Sequence, residues 1–248
     1  MKVDLGGWTP VALSTDLSNG GVLRTVVEDQ DLAIWRSAAG AVRAWENRCP
    51  HRGMRLSYGF VRGETLTCIY HGWQYGTDGV CHAIPAHPDL TPPTTLCVRA
   101  FGCVENSSLV WASLSQRDRQ PKIGVEDIQP IRSLTVDRPA AAMNELFATV
   151  RFPIADDTAP DIGEFRSISI NHGLIVREGQ LGDQRRLMVA ALQALPGDRT
   201  AAHILTSPAA SPKLKTTFSR WLERLRWFAE KSAITIGDRH PIGGTVGE

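Results

Sequence analysis

The chain has 248 residues, of which 42% are hydrophobic and 21% charged, and its 27 basic and 26 acidic side chains leave a formal net charge of +1. This composition suits one large or two small globular domains and excludes a disordered chain. Both charge signs are dispersed, so no nucleic-acid partner is expected. No apolar run is long enough to span a membrane, and the start MKVDLGGWTP lacks an apolar leader, so the expected compartment is the cytoplasm.

From Val22 to Ala112, short runs such as VLRTVV, LAIWR, AVRAWE, TLCVRAF and SLVWASL are broken by Gly, Asn and Asp, which predicts a small antiparallel β-domain. Within it, MRLSYGFVRGETLT alternates apolar and polar residues around Gly59 and Gly63 and reads as strand, turn, strand. The polar connector SQRDRQPKIG, Ser115 to Gly124, separates a domain over 1–115 from one over 125–248. Next, AAAMNELFATVRF places Met143, Leu146, Phe147 and Val150 at helical spacing, and Pro153 stops the helix. The strand-like runs FRSISI, GLIVREG, RRLMVAALQAL and TAAHILTS follow. A last helix opens near SPKLK, with Ser211 as N-cap and Pro212 as first residue. Phe218, Trp221, Leu222, Leu225 and Phe228 form one apolar stripe, and Arg220, Arg224, Arg226 and Lys231 lie off it. The stripe suits packing on a core; a membrane surface and a subunit interface are the competing uses.

The densest chemistry lies in CPHRG at Cys49 to Gly53 and CIYHGW at Cys68 to Trp73, which spell CxH, sixteen residues, CxxH. Two thiolates on one iron and two neutral imidazoles on the other are the ligand set of a Rieske [2Fe-2S] cluster. Cys49 and Cys68 would hold one iron, His51 and His71 the other. A tetrahedral zinc site also takes two Cys and two His. Zinc fingers keep the Cys pair and the His pair on separate elements, whereas each loop here mixes one of each. Cys81, Cys97 and Cys103 remain and read as buried thiols in a reducing compartment. Trp45, Trp73 and Trp111 read as packing around the cluster, with a docking surface as the competing role of Trp73.

With both halves read, the chain resembles the Rieske non-haem iron oxygenases close to vanillate O-demethylase, phthalate dioxygenase and dicamba demethylase. The motifs WTPVA, ENRCPHRGMRLSYGFVRGETLTCIYHGWQY and DGVCHAIPA carry the resemblance, which continues more weakly through NELFATVRFPIADD, ALQALPGDRTAAHILTS and WFAEKSAI. It implies an α+β fold: an antiparallel β Rieske domain followed by a helix-grip domain of the Bet v1/START type, here shortened. Respiratory Rieske proteins carry an extra Cys in each loop and a Ser after HG. Met54, Tyr70 and Trp73 stand at those places, so fewer hydrogen bonds to sulfur are expected, and a potential at the low end of the Rieske range, about −150 mV.

In the family, the second domain holds Fe(II) by two His and one carboxylate. Setting its FP dipeptide on Phe152 and Pro153 places Arg151 and Asp156 at the two His positions and Ala148 at an Asp that links one subunit's cluster to the next subunit's iron. The nearest match to the third ligand is Glu230 with Lys231. A guanidinium has no lone pair to give a metal, so the mononuclear Fe(II) is expected to be absent. Arg151, with Lys231, is expected to pair with Asp156 or Asp157 instead. His172 and His203 are the residues from which a rebuilt iron site could draw.

These implications favour an electron-transfer and structural subunit of a hetero-oligomeric, trimer-based Rieske oxygenase. It would take electrons from an NAD(P)H-dependent reductase or a ferredoxin and serve a full-length partner subunit. The alternatives are an active monooxygenase or demethylase with an atypical iron site, and a stand-alone ferredoxin-like Rieske protein.

Overall fold

A computed structural model describes residues 5–115, 119–156, 162–171 and 173–231. The chain divides into two compact units, Leu5–Pro121 and the residues from Lys122 onward.

In the first unit the strands are β1 (Thr9–Leu13), β2 (Val22–Val27), β3 (Gln30–Arg36), β4 (Val42–Glu46), β5 (Phe60–Arg62), β6 (Thr65–Thr67), β7 (Gln74–Gly76), β8 (Cys81–Ala83), β9 (Ala100–Asn106) and β10 (Leu109–Ser113). They form a sheet in the order β1-β10-β9-β4-β3-β2 and a smaller one in the order β5-β6-β7-β8, antiparallel throughout. Two-residue turns close β2–β3 and β9–β10: Glu28 and Asp29, then Ser107 and Ser108, all take positive φ, the hairpin conformation that matches strand twist. β1 is an edge strand, the place where Pro10 costs no ladder bond. Leu56–Tyr58, expected as strand, is instead a single 3-10 turn leading into β5. In TLCVRAF the strand begins only at Ala100.

Alternation along β3 divides the core of this unit. Ala33 and Trp35 join Trp45, Leu56, Leu66, Tyr75, Cys49 and Cys68 in one buried cluster, while Leu32 and Ile34 join Val11, Val42, Ala44 and Val110 in another. Trp35 and Trp45 meet edge to face at 4.8 Å. The two loop cysteines are thus part of an aromatic core. Of the other thiols, Cys81 is buried and Cys103 half-buried, but Cys97 is exposed, against expectation. Its neighbours explain this: Val98 is buried and Leu96 packs on the cluster core, so the extended backbone between them turns Cys97 outward.

The second unit contains β11 (Gln129–Val136), α1 (Ala140–Thr149), β12 (Glu164–Asn171), β13 (Leu174–Leu181), β14 (Gln184–Leu195), β15 (Arg199–Ser207) and α2 (Pro212–Lys231). The sheet order is β11-β15-β14-β13-β12. Both helices cover one face. Met143 and Phe147 of α1, with Leu214, Phe218, Trp221, Leu222 and Leu225 of α2, pack on Ile175, Met188, Ala190, Ala202 and Ile204. The stripe on α2 therefore packs on a core, with Phe228 only half-buried beside it. Ser211 caps α2, accepting from the Leu214 amide at 3.0 Å. At the other end Arg138 donates to the Ala229 carbonyl at 2.5 Å, where a cation suits the helix dipole. This antiparallel β-domain followed by an α+β unit with a long last helix is the predicted fold class.

Candidate metal centre

The two ligand loops are copies of one another in backbone. Gly53 donates to the Cys49 carbonyl at 2.9 Å and Cys49 donates to that of Met54 at 2.8 Å; Gly72 donates to Cys68 at 3.0 Å and Cys68 to Trp73 at 2.9 Å. Each loop thus closes at the fourth and fifth residues after its Cys. Both closures need a left-handed residue at the fourth position, and Gly53 and Gly72 each have φ of +72°. The second loop is the tip of the β6–β7 hairpin. The first is not a hairpin tip but the crossover from β4 to the smaller sheet.

The loops sort their side chains by depth. Cys49 and Cys68 are buried at 3% and 2% exposure, whereas His51 is half-buried and His71 exposed. The imidazoles lie 4.7 Å apart between ring centroids. Two thiols inside and two imidazoles at the rim make two pairs. Such paired ligands suit a two-iron cluster.

Burial pushes the Cys68 thiol up, with Cys49 beside it adding to the shift. Such thiols ionise when a metal cation takes the proton's place. His51 is held below the ordinary histidine range by loss of solvent around its ring, then by His71 and Arg52, which favours the neutral, ligating form. Trp73 stacks on the His51 ring at 4.3 Å and 6°, and Tyr70 lies over His71 at 3.8 Å.

One contact raises the count of sulfur donors. The Tyr75 hydroxyl lies 3.1 Å from Cys49 Sγ, and it would be the donor if Cys49 ligates as a thiolate. Tyr75 is fully buried and its own ionisation is pushed far up, first by burial and then by Cys49. Inspecting only the residue after Gly72 misses this donor, which stands two places further on in HGWQY.

In the second unit the expected iron positions do not gather. Asp156 accepts from Ser211 at 2.5 Å, at the start of α2. Glu230 and Lys231 close the same 20-residue helix, about 30 Å away at 1.5 Å per residue. The expected Lys231–Asp156 pair is therefore ruled out, and Lys231 lies 4.6 Å over Trp227. Arg151 lies 5.8 Å from the centroid of Phe165. Ala148 lies in the last turn of α1, and its carbonyl accepts from the guanidinium of Arg177 and from Ser167. Arg177 is a residue that sequence reading passed over. It is 5% exposed, on the helix-facing side of β13, and burial lowers its pKa. Its signal was an Arg in the otherwise apolar start of LIVREG. His203 lies on the opposite face of the sheet and meets Ser133 Oγ at 2.7 Å through Nδ1. Asp157 and His172 lie outside the described residues.

Comparison with known proteins agrees with this geometry. Residues 7–100 match the model of the Rieske [2Fe-2S] domain. The chain is 41% identical over 135 residues to oxidoreductase NdmD of Pseudomonas putida, covering 54% of this chain and 23% of that protein. It is 38% identical over 112 residues to methylxanthine N1-demethylase NdmA of the same organism, covering 43% and 32%. The matched stretch thus spans less than a third of either relative, 23% and 32%. In structure, NdmA of P. putida CBB5 superposes with a TM-score of 0.70 at 20% identity, over 98% of this chain and 84% of that one. Dicamba monooxygenase bound to dicamba gives 0.63 at 17%, over 92% and 90%. Residues 7–100 are therefore a Rieske [2Fe-2S] domain, in a chain whose fold is that of the Rieske oxygenases.

Proposed function

We propose that this chain is the electron-transferring subunit of a hetero-oligomeric Rieske oxygenase, with Cys49 and Cys68 holding one iron of the cluster and His51 and His71 the other. When bound, the cluster supplies reversible one-electron transfer. The residues around it would divide the work: the Trp35–Trp45 core would keep water from the buried thiols, and the exposed His71 would give the cluster an edge toward solvent. Tyr75 would donate to Cys49 and stabilise added negative charge there.

One observation carries the absence of a catalytic iron. Where α1 would present iron ligands, the chain has Arg151 and Ala148, and the buried guanidinium of Arg177 donates to the Ala148 carbonyl. A buried guanidinium disfavours a second cation, Fe²⁺, beside it. Electrons from an NAD(P)H-dependent reductase or a ferredoxin would then pass to the iron of a longer partner subunit, in the cytoplasm. A tagged chain purified from its source should retain a longer Rieske oxygenase, and that enzyme's turnover should collapse when the complex carries His71→Ala. A chain that purifies alone and itself consumes O₂ with a substrate would overturn the proposal.

The family match over residues 7–100, the cluster domain, favours a second reading, a ferredoxin-like carrier that meets its acceptor only transiently. Stable co-purification separates the two.

A further inference from the structure

Charge across the chain is almost balanced, with 27 basic and 26 acidic residues, but the last helix departs from that balance. From Pro212 to Lys231, α2 carries six cations, Lys213, Lys215, Arg220, Arg224, Arg226 and Lys231, against two carboxylates, Glu223 and Glu230, a net charge of +4. The rest of the chain holds 21 basic and 24 acidic side chains and so sums to −3.

The surplus is ordered around the helix. At about 100° per residue, Lys213, Thr216, Arg220, Arg224, Trp227 and Lys231 fall within about 80° of arc, and all six are exposed. They lie away from Leu214, Phe218, Trp221, Leu222, Leu225 and Ala229, which face the core. The stripe from Lys213 to Lys231 is about 27 Å long at 1.5 Å per residue. No carboxylate falls inside it. Glu223 borders it, half-buried and held by Arg132 at 2.7 Å and by Arg226 at 3.3 Å. Arg220 and Arg224 form no ion pair among the described residues.

Trp227 closes the stripe one turn before Lys231. It is 60% exposed, the most of any large apolar side chain among the described residues, and Lys231 Nζ lies 4.6 Å over its ring. Solvated cations need no partner, but an indole in water forgoes the burial its area offers. An indole flanked by cations is at home at the boundary between headgroups and acyl chains, where its ring is buried and its N–H stays wet.

We infer that the outer face of α2 docks on a bilayer surface rich in anionic phospholipids, with the cations against headgroup phosphates and Trp227 entering the acyl boundary. The contact is peripheral, because the apolar face of the same helix already packs on the core. Two such stripes repel each other, which disfavours a second copy of this chain. A straight line of cations without a carboxylate can meet a flat anionic surface along its whole length. The inference concerns the second unit and goes beyond the electron-transfer reading, so either can fail without the other.

The test floats the cluster-loaded full chain with vesicles of phosphatidylglycerol and phosphatidylcholine in equal parts, and with vesicles of phosphatidylcholine alone. The chain should float with the anionic vesicles only, and binding should fall as NaCl is raised from about 50 mM to about 500 mM. Each cation near an anionic surface contributes about fivefold to partition, so Arg220→Glu/Arg224→Glu should weaken binding at least roughly 25-fold. Arg220→Lys/Arg224→Lys, which keeps the charge, should bind like the wild type. Brominated acyl chains should quench part of the tryptophan fluorescence, and Trp227→Leu should remove that quenching. These side chains are exposed, so the variants should melt with the wild type. Equal binding to both kinds of vesicle, or full binding by the Glu variant, would overturn the inference. So would the absence of vesicle binding together with salt-sensitive binding of poly-L-glutamate that the Glu variant loses, which would assign this face to an acidic protein.

Discussion

The ring of His51 lies flat against that of Trp73, with centroids 4.3 Å apart and planes 6° from parallel, so a residue of the second loop fixes a proposed ligand of the first. Such a pair contributes about 0.5–1.5 kcal/mol beyond burial. Trp73→Ala should therefore release iron to a chelator roughly 2- to 10-fold faster, while Trp73→Phe should stay close to wild type. Loss of the visible absorption in the presence of excess chelator measures the rate.

Tyr75 reaches the proposed centre from inside. With Cys49 as a ligand its hydroxyl would stabilise the more negative reduced state, so Tyr75→Phe should lower the midpoint potential. A differential of about 1 kcal/mol corresponds to a shift of about 40 mV. The potential of the wild type should accordingly lie above the lower limit of the Rieske range, about −150 mV. Redox titration followed by EPR reads both values, and an unchanged potential in Tyr75→Phe would show that the hydroxyl has no tuning role.

Acid should weaken the first unit through Glu105. Arg36 reaches both its oxygens, at 2.6 and 2.9 Å, and this hydrogen bonding holds the Glu105 carboxyl below the ordinary glutamate value of 4.5. The folded state thus binds the proton less readily than the unfolded one. The stabilisation is complete above pH 4.5 and is lost as pH falls through the lower, folded value. Glu105→Gln should cost about 1–2 kcal/mol at pH 7, allowing for the partial exposure of the carboxylate, and should flatten stability below pH 4.5. Chemical denaturation between pH 3 and 7 checks this.

In the second unit Ser211 joins two tasks, accepting from the Leu214 amide and donating to Asp156. Ser211→Ala should destabilise by about 1–2 kcal/mol, and Ser211→Asp, which keeps the cap but faces Asp156 with a like charge, should not restore full stability. Phe218→Ala, which empties a fully buried site between α2 and the sheet, should cost about 3–5 kcal/mol. Thermal unfolding orders the three variants.

What the sequence disclosed follows from how local each signal is. CPHRG and CIYHGW could be read because both ligands of each loop and its closing glycine lie within five residues. The strands β12 to β15 announced themselves as long alternating or apolar runs, and α2 by its stripe and cap. β11 escaped because QPIRSLTV has Pro at its second position and buries only Leu134 and Val136. β1 escaped because a five-residue edge strand gains its ladder from β10, nearly a hundred residues away. Tyr75 lies in a motif but acts on Cys49, across the fold. The separation of Asp156 from Glu230 depends on which end of α2 each residue meets, and no spacing along the chain records that.

The central claim is a chain that carries a Rieske cluster and no mononuclear iron. Iron analysis combined with EPR on anaerobically purified protein tests both halves at once. The account predicts two irons per chain, a Rieske signal that Cys68→Ser or His71→Ala removes, and no further iron after incubation with Fe(II). A third iron bound stoichiometrically, or zinc in place of the cluster, would contradict it.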